Sequence, residues 1–168
     1  MIKVPAGTFC GHACIKAYID DVYAKKSQAK AKDDRRDLKK RKDALKTKGD
    51  WLSEAQTAFN RWIRLRDKDR PCISCGRHHS GQYHAGHYRT VGSCPELRFE
   101  PLQVHKQCSP CNLHLSGNIL EYRKNLIGVV GQDMVDWIEG PHEMPHRTID
   151  DIKAIKIKYL AKCRELTE

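Results

Sequence analysis

The apolar positions of this chain change their pattern several times between its two ends. Met1 to about Tyr23 is short and weakly amphipathic from Ile15 to Val22. From Ala24 to Gly49 almost nothing is apolar except alanine and two leucines, so the segment has no face to bury; it predicts a solvated helix or disorder. At Asp50, a candidate N-cap, Leu52, Ala55, Phe59, Trp62 and Ile63 begin a spacing that fits one face of a helix. Between Pro71 and Pro110 the apolar pieces shrink to Leu97–Phe99 and Leu102–Val104, which suit short strands in a region rich in Cys, His, Gly and Pro. Helical spacing returns near Leu120 to Val130, at Gln132 to Glu139, and from Thr148 onward. There Thr148 and Asp151 match a capping box, and Ile149, Ile152, Ile155, Tyr159, Leu160 and Cys163 form an apolar stripe. No internal repeat is visible.

A length of 168 residues supports one core with attached helices. The pattern divides it into residues 1–23, which resemble the remnant of a finger-like segment, a basic arm or linker over 24–49, and a main domain over 50–168. The formal net charge is +10, and Lys25 to Lys48 holds 12 basic and 4 acidic residues. Such a run is the footprint of a polyanion partner, with Arg35, Arg36, Lys39, Lys40, Arg41 and Lys42 as candidate DNA contacts; the plain alternative is a solvated charged helix. The run has no aromatic side chain to stack on bases, which points to sequence-tolerant phosphate binding. No apolar run approaches the ~20 residues of a spanning helix and the N-terminus has no signal-peptide pattern, so the expectation is a soluble protein of the cytoplasm with no membrane partner.

Eight cysteines change the picture. Cys72-x2-Cys75 and Cys108-x2-Cys111 are two knuckles of metal-ligand spacing, and together they predict a closed four-thiolate zinc site with a structural role. Such pairing also fits a reducing compartment. Cys94 and Cys163 read as small buried hydrophobes. Cys10, His12 and Cys14 are either half of a second zinc site or nothing.

The 32 residues between the knuckles carry polar groups that a closed zinc site does not need: His84, His87 and Arg89 in the run from Tyr83, then Gln103 and His105, with Asn112 directly after the second knuckle. His87, neutral near pH 7, is the candidate general base; its alternative is a histidine that only bonds backbone. Asn112 reads as a ligand for a hard divalent ion or as a helix N-cap. His84, His105 and Asn118 are secondary candidates, as metal ligands, phosphate contacts or mere polar surface, and Arg89 is a candidate phosphate contact. His78, His79, His114, His142 and His146 are read as surface residues.

The arrangement resembles the HNH (ββα-metal) endonucleases. More closely, the runs Pro71–Gly76, Ala85–Thr90, Leu97–Phe99, His105–Cys108, Cys111–Asn112 and Ser116–Asn118, in that order, resemble the NinG/Rap recombination endonucleases of lambdoid phages. The likeness covers about Trp51 to Lys162. It implies an α+β fold: a zinc-stapled, treble-clef-like nuclease core with a small β-hairpin, flanked by helices and a basic N-terminal arm. It also implies a hydrolase that nicks phosphodiester bonds in branched DNA, such as D-loops and Holliday junctions, using Mg2+ or Mn2+, with His87 and Asn112 as the leading candidates to hold the ion and His84 and Asn118 as secondary ones. If junction resolution is the activity, a homodimer is expected, since symmetric cleavage needs two sites. Departures from the family pattern stand at His84, Gln103 and Leu115, and at the N-terminus, where only Cys10 and Cys14 of a four-cysteine finger appear. Two other readings remain: a non-catalytic, zinc-stabilised DNA-binding accessory of recombination, and a general HNH endonuclease without branch preference.

Overall fold

The computed structural model describes residues 1–5 and 7–168, which fall into two compact units, Met1–Lys46 and Thr47–Glu168. In the first, β1 (Ile2–Val4) pairs antiparallel with β2 (Gly7–Phe9), and α1 (His12–Ala44) follows as one unbroken helix. It runs across the 23/24 boundary expected from composition, so those two segments share an element. None of its 33 residues is buried. The basic run is therefore helical with water on every side, as its lack of an apolar face dictates.

The second unit is built around one hairpin. β3 (Tyr83–His87) pairs antiparallel with β4 (Val104–Cys108), in the register Tyr83 to Cys108 and His87 to Val104. The strand expectation at Leu97–Phe99 and Leu102–Val104 is corrected here. Pro95 and Pro101 each open a 3-10 turn, Pro95–Leu97 and Pro101–Gln103, and only Val104 of those pieces is in a strand. Proline presets the turn and has no N–H for a ladder.

On one side of the hairpin lie α2 (Lys48–Arg66) and α5 (Ile149–Glu165), which bury Ala55, Phe59, Ile63, Ile152 and Tyr159 against Val104 and Phe99. α2 starts earlier than expected: Thr47 is its N-cap, and Asp50 is the third helical residue of a reciprocal capping box with it. Thr148 and Asp151 make the same box at the start of α5, as their spacing predicts. A second core forms where α3 (Ile119–Val130) and α4 (Gln132–Glu139) bury Tyr122, Leu126, Val135 and Ile138 with Tyr88, Cys94 and Leu97 from the β3–β4 connection. The result is α+β, helices around a small antiparallel sheet. No helix among the described residues is long and apolar enough to cross a membrane.

The free edge of β4 is covered by two side chains and one backbone N–H. Lys106 donates its backbone N–H to Asp67 and accepts from the Ile73 N–H, while Arg66 donates to the Val104 carbonyl at 2.7 Å. An unpaired strand edge is otherwise a site for unwanted pairing.

Candidate functional site

The two knuckles meet at the end of the hairpin. Cys72, Cys75, Cys108 and Cys111 present sulfurs that all lie within 4.8 Å of one another, the only such His/Cys/Asp/Glu cluster among the described residues. Four converging thiols fit one tetrahedral zinc ion. Around Cys72, burial opposes the thiolate, but backbone N–H groups of Cys75, Cys108 and Ser74 outweigh it and lower its pKa. Burial pushes the thiols of Cys108 and Cys111 up, so a cation is what would hold the full set deprotonated. One member of the neighbourhood escaped the sequence: His79 places Nε2 3.2 Å from the Cys75 sulfur and its backbone N–H on the Tyr83 hydroxyl. A His four residues past a knuckle cysteine was its only signal. Cys10 and Cys14 are in disulfide contact with each other, and with His12 they form no ligand cluster. Cys94 and Cys163 are buried, as expected for small hydrophobes.

Beside the zinc cluster, His87 and Asn112 line one cavity of about 370 Å³, together with Ala85, Thr90, Ser116 and Gly117. β3 supplies His87 from its last position. Asn112 comes from Pro110–His114, a five-residue turn wound wider than an α-helix, closed by Leu115 N–H to the Pro110 carbonyl. Asn112 is inside that turn and caps nothing. Ser116, Gly117 and Asn118 then take positive φ, which turns the chain back into α3.

The tautomer of His87 follows from its partner. Nε2 lies 3.1 Å from the Arg98 carbonyl, which can only accept, so Nε2 carries the proton and Nδ1 keeps the lone pair. Burial lowers the His87 pKa below its ordinary 6.5, against the carbonyls of Arg98 and Ala85, so the ring is neutral at pH 7. One lone pair can take a proton or bind an ion but cannot do both at once. The two roles expected for His87 therefore exclude each other at any one moment.

The structure does not bring the other candidates to this cavity lining. His105 is buried with Nε2 on the Leu102 carbonyl and Nδ1 3.1 Å from Arg66, and burial pushes its pKa down to about 4. At neutral pH its 3.7 Å approach to Asp67 is therefore no ion pair. His84 bonds Ser109 Oγ at 2.9 Å. Asn118 precedes α3 as its N-cap residue without a side-chain cap bond. Arg89 lines an adjoining depression, with its guanidinium spent on the carbonyls of Ile138 and Gly140 at the end of α4. Gln103 is fully buried; it accepts the Arg89 N–H and donates to the Leu97 carbonyl, closing the 88–103 connection across its base.

The cavity thus offers a hard divalent ion one amide oxygen and one imidazole, with no carboxylate in its lining. Mg2+ sites normally use one or two carboxylates together with water and substrate phosphate. The side chains alone are an incomplete Mg2+ site, whereas the four cysteines offer the full ligand count that a tetrahedral zinc ion takes.

A family model described as Bacteriophage Lambda NinG protein matches residues 6–168. The chain belongs to the NinG family. NinG proteins of three phages illustrate the likeness. The protein ninG of Escherichia phage 933W is 50% identical over 129 residues, 77% of this chain and 64% of that protein. That of Escherichia phage lambda is also 50% identical over 129 residues, covering 77% and 63%. That of Salmonella phage P22 is 48% identical over 131 residues, covering 78% and 64%. The chain thus spans a little under two thirds of the length of these NinG relatives. No solved structure matches it.

Proposed function

We propose that this NinG-family protein is an HNH-type, metal-dependent DNA endonuclease of phage recombination. The observation that carries the reading is the meeting of His87 and Asn112, 25 positions apart in sequence, in one cavity beside the zinc staple. In the reaction, Nδ1 of neutral His87 takes a proton from water, the water oxygen attacks phosphorus, and the bond to one deoxyribose oxygen breaks to leave a nick. Arg98 holds the ring for this through its carbonyl. A divalent ion, when bound, supplies charge stabilisation at the phosphate; Asn112 is the side chain that would hold it, with water and the phosphate completing its shell. Branched DNA, D-loops and Holliday junctions are the proposed substrates, and the basic run of α1 is a proposed phosphate contact.

The missing carboxylate favours a second reading, a zinc-stabilised DNA-binding accessory without catalysis. One experiment separates them. Purified protein is given supercoiled plasmid, four-way junction and linear duplex, each with and without Mg2+ or Mn2+. The enzyme reading expects nicking only with the ion, faster on the junction, and a loss of about 10²–10⁴-fold in His87→Ala with fold and zinc content retained. DNA binding without nicking under every ion establishes the accessory reading. Equal nicking by His87→Ala removes His87 as the base, and equal rates on all three DNAs remove the branch preference.

A further inference from the structure

α2 and α5 pack side by side and run in the same direction. Lys156 meets Glu54 at 2.7 Å, Tyr159 meets Phe59 at 4.8 Å between ring centroids, and Lys162 lies 5.1 Å over Trp62. Their capping boxes therefore share one end of the pair, marked by Asp50, Asp150 and Asp151. The other end gathers Arg61 and Arg64 of α2 with Lys158, Lys162 and Arg164 of α5, and Glu165 is the only acidic residue in the last two turns of either helix. Arg61, Arg64, Lys158 and Arg164 are exposed, and no ion pair reaches any of the five among the described residues.

Helix-dipole compensation is the plain explanation of basic C-termini, and it is too small here. Each helix end carries about −0.5 charge, felt within the last turn. Two such ends with Glu165 leave an excess of about three positive charges. Arg61 and Lys158 also lie before the last turn. The side chains instead offer unpaired positive charge suited to phosphates: Arg61 and Arg64 share one face of α2, three residues apart, and Lys158 and Lys162 share one face of α5, four apart.

We propose that this end of the α2–α5 pair is a phosphate-backbone contact surface for DNA, belonging to the compact unit itself and separate from the basic residues of α1. The inference rests on the reading that this protein acts on DNA. Binding is measured by fluorescence anisotropy of a labelled duplex across a salt series with no divalent ion added, so that cleavage plays no part and the four-cysteine site is left intact. The full-length chain is compared with Arg61→Gln/Arg64→Gln and with Lys158→Gln/Arg164→Gln, each checked for wild-type circular dichroism and zinc content; a variant that fails this check is replaced by Lys158→Glu, a single surface change. Each double variant is expected to flatten the dependence of log K on log salt by about two, at ~0.9 per phosphate contact, equally for unrelated sequences. Lys39→Gln/Lys40→Gln on α1 tests that helix independently. Wild-type slopes in both α2–α5 variants overturn the inference, as does loss of binding to anionic lipid vesicles with DNA binding unchanged. If wild type nicks DNA while these variants bind it normally, this inference fails alone; if wild type neither binds nor nicks, the functional reading fails with it. Binding that weakens as described without any nicking supports the surface and overturns only the nuclease.

Discussion

At the scale of single residues, two groups decide what the candidate site can do. His87 is kept neutral by burial, with Nε2 tied to the Arg98 carbonyl and the proton-free lone pair left on Nδ1. A base works only unprotonated, so its pKa sets the acid limb of the rate, and a folded pKa below 6.5 moves that limb downward. Nicking should stay level from pH 8 to about 6.5 and fall below it; a limb centred above 6.5 contradicts the assignment. Next to it, Gly86 has no room for a side chain. A Cβ there would stand 2.9 Å from both Cβ and Cδ of Gln107, which is buried and tied by Nε2 to Ser74 Oγ and the Gly117 carbonyl. The Gln107 Oε1 has no hydrogen-bond partner among the described residues and faces this same gap. Gly86→Ala should destabilise the protein by about 1–3 kcal/mol through overpacking, read as a lower urea midpoint, and should disturb the Gly117 wall of the cavity. His87 and Asn112 were candidates in the sequence through residue type and the resemblance to the HNH and NinG runs, and the fold adds that they line one cavity. The Arg98 carbonyl was not, because a backbone acceptor 11 residues away leaves no mark in residue identity.

At the scale of elements, the helices were legible and the strands were not. α3, α4 and α5 begin within one residue of their expected starts because amphipathic spacing and caps are local signals. α2 was entered three residues late: Asp50 is a good N-cap by type, yet Thr47 takes that place because Thr-x-x-Asp satisfies two N–H groups where Asp50 alone satisfies one. The hairpin was hidden by its composition. The Tyr83–His87 run alternates only Tyr83 and Ala85, the Val104–Cys108 run is apolar only at its two ends, and β4 is buried along its whole length. Its polar side chains are tolerated because Arg66, Ser74 and the Lys68 and Gly117 carbonyls meet them. Long-range partners of this kind override local strand preference. The two capping boxes give a matched pair of tests. Thr47→Ala and Thr148→Ala should each cost about 1 kcal/mol, with an unchanged dependence on denaturant. The two losses should add, because the boxes sit on different helices; a loss confined to one variant would show that the other helix is held by packing alone.

For the whole molecule, the two units differ in what holds them. The unit 47–168 has two apolar cores and the four-cysteine cluster, whose knuckles tie the chain near Cys72 to the chain after β4. α1 has no buried residue and contributes to no ligand cluster among the described residues, and a single helix in water is held by little beyond its own hydrogen bonds and exposed i,i+4 pairs such as Asp21 with Lys25. Amide exchange should separate them. The α1 amides should exchange through local fraying at rates indifferent to a chelator, whereas amides of α2, β4 and α5 should exchange only by opening of the whole unit. With zinc held at the four cysteines, a strong chelator at pH 7 should remove most of that protection and abolish the cooperative thermal transition, because the binding energy of that ion would be part of the folding energy of so small a core. Cys108→Ser should reproduce this without a chelator, through loss of one of four ligands. If α2 and α5 keep their protection after metal removal, the Phe59 and Tyr159 core stabilises the unit alone and the cysteine cluster serves only to position the turn that carries Asn112.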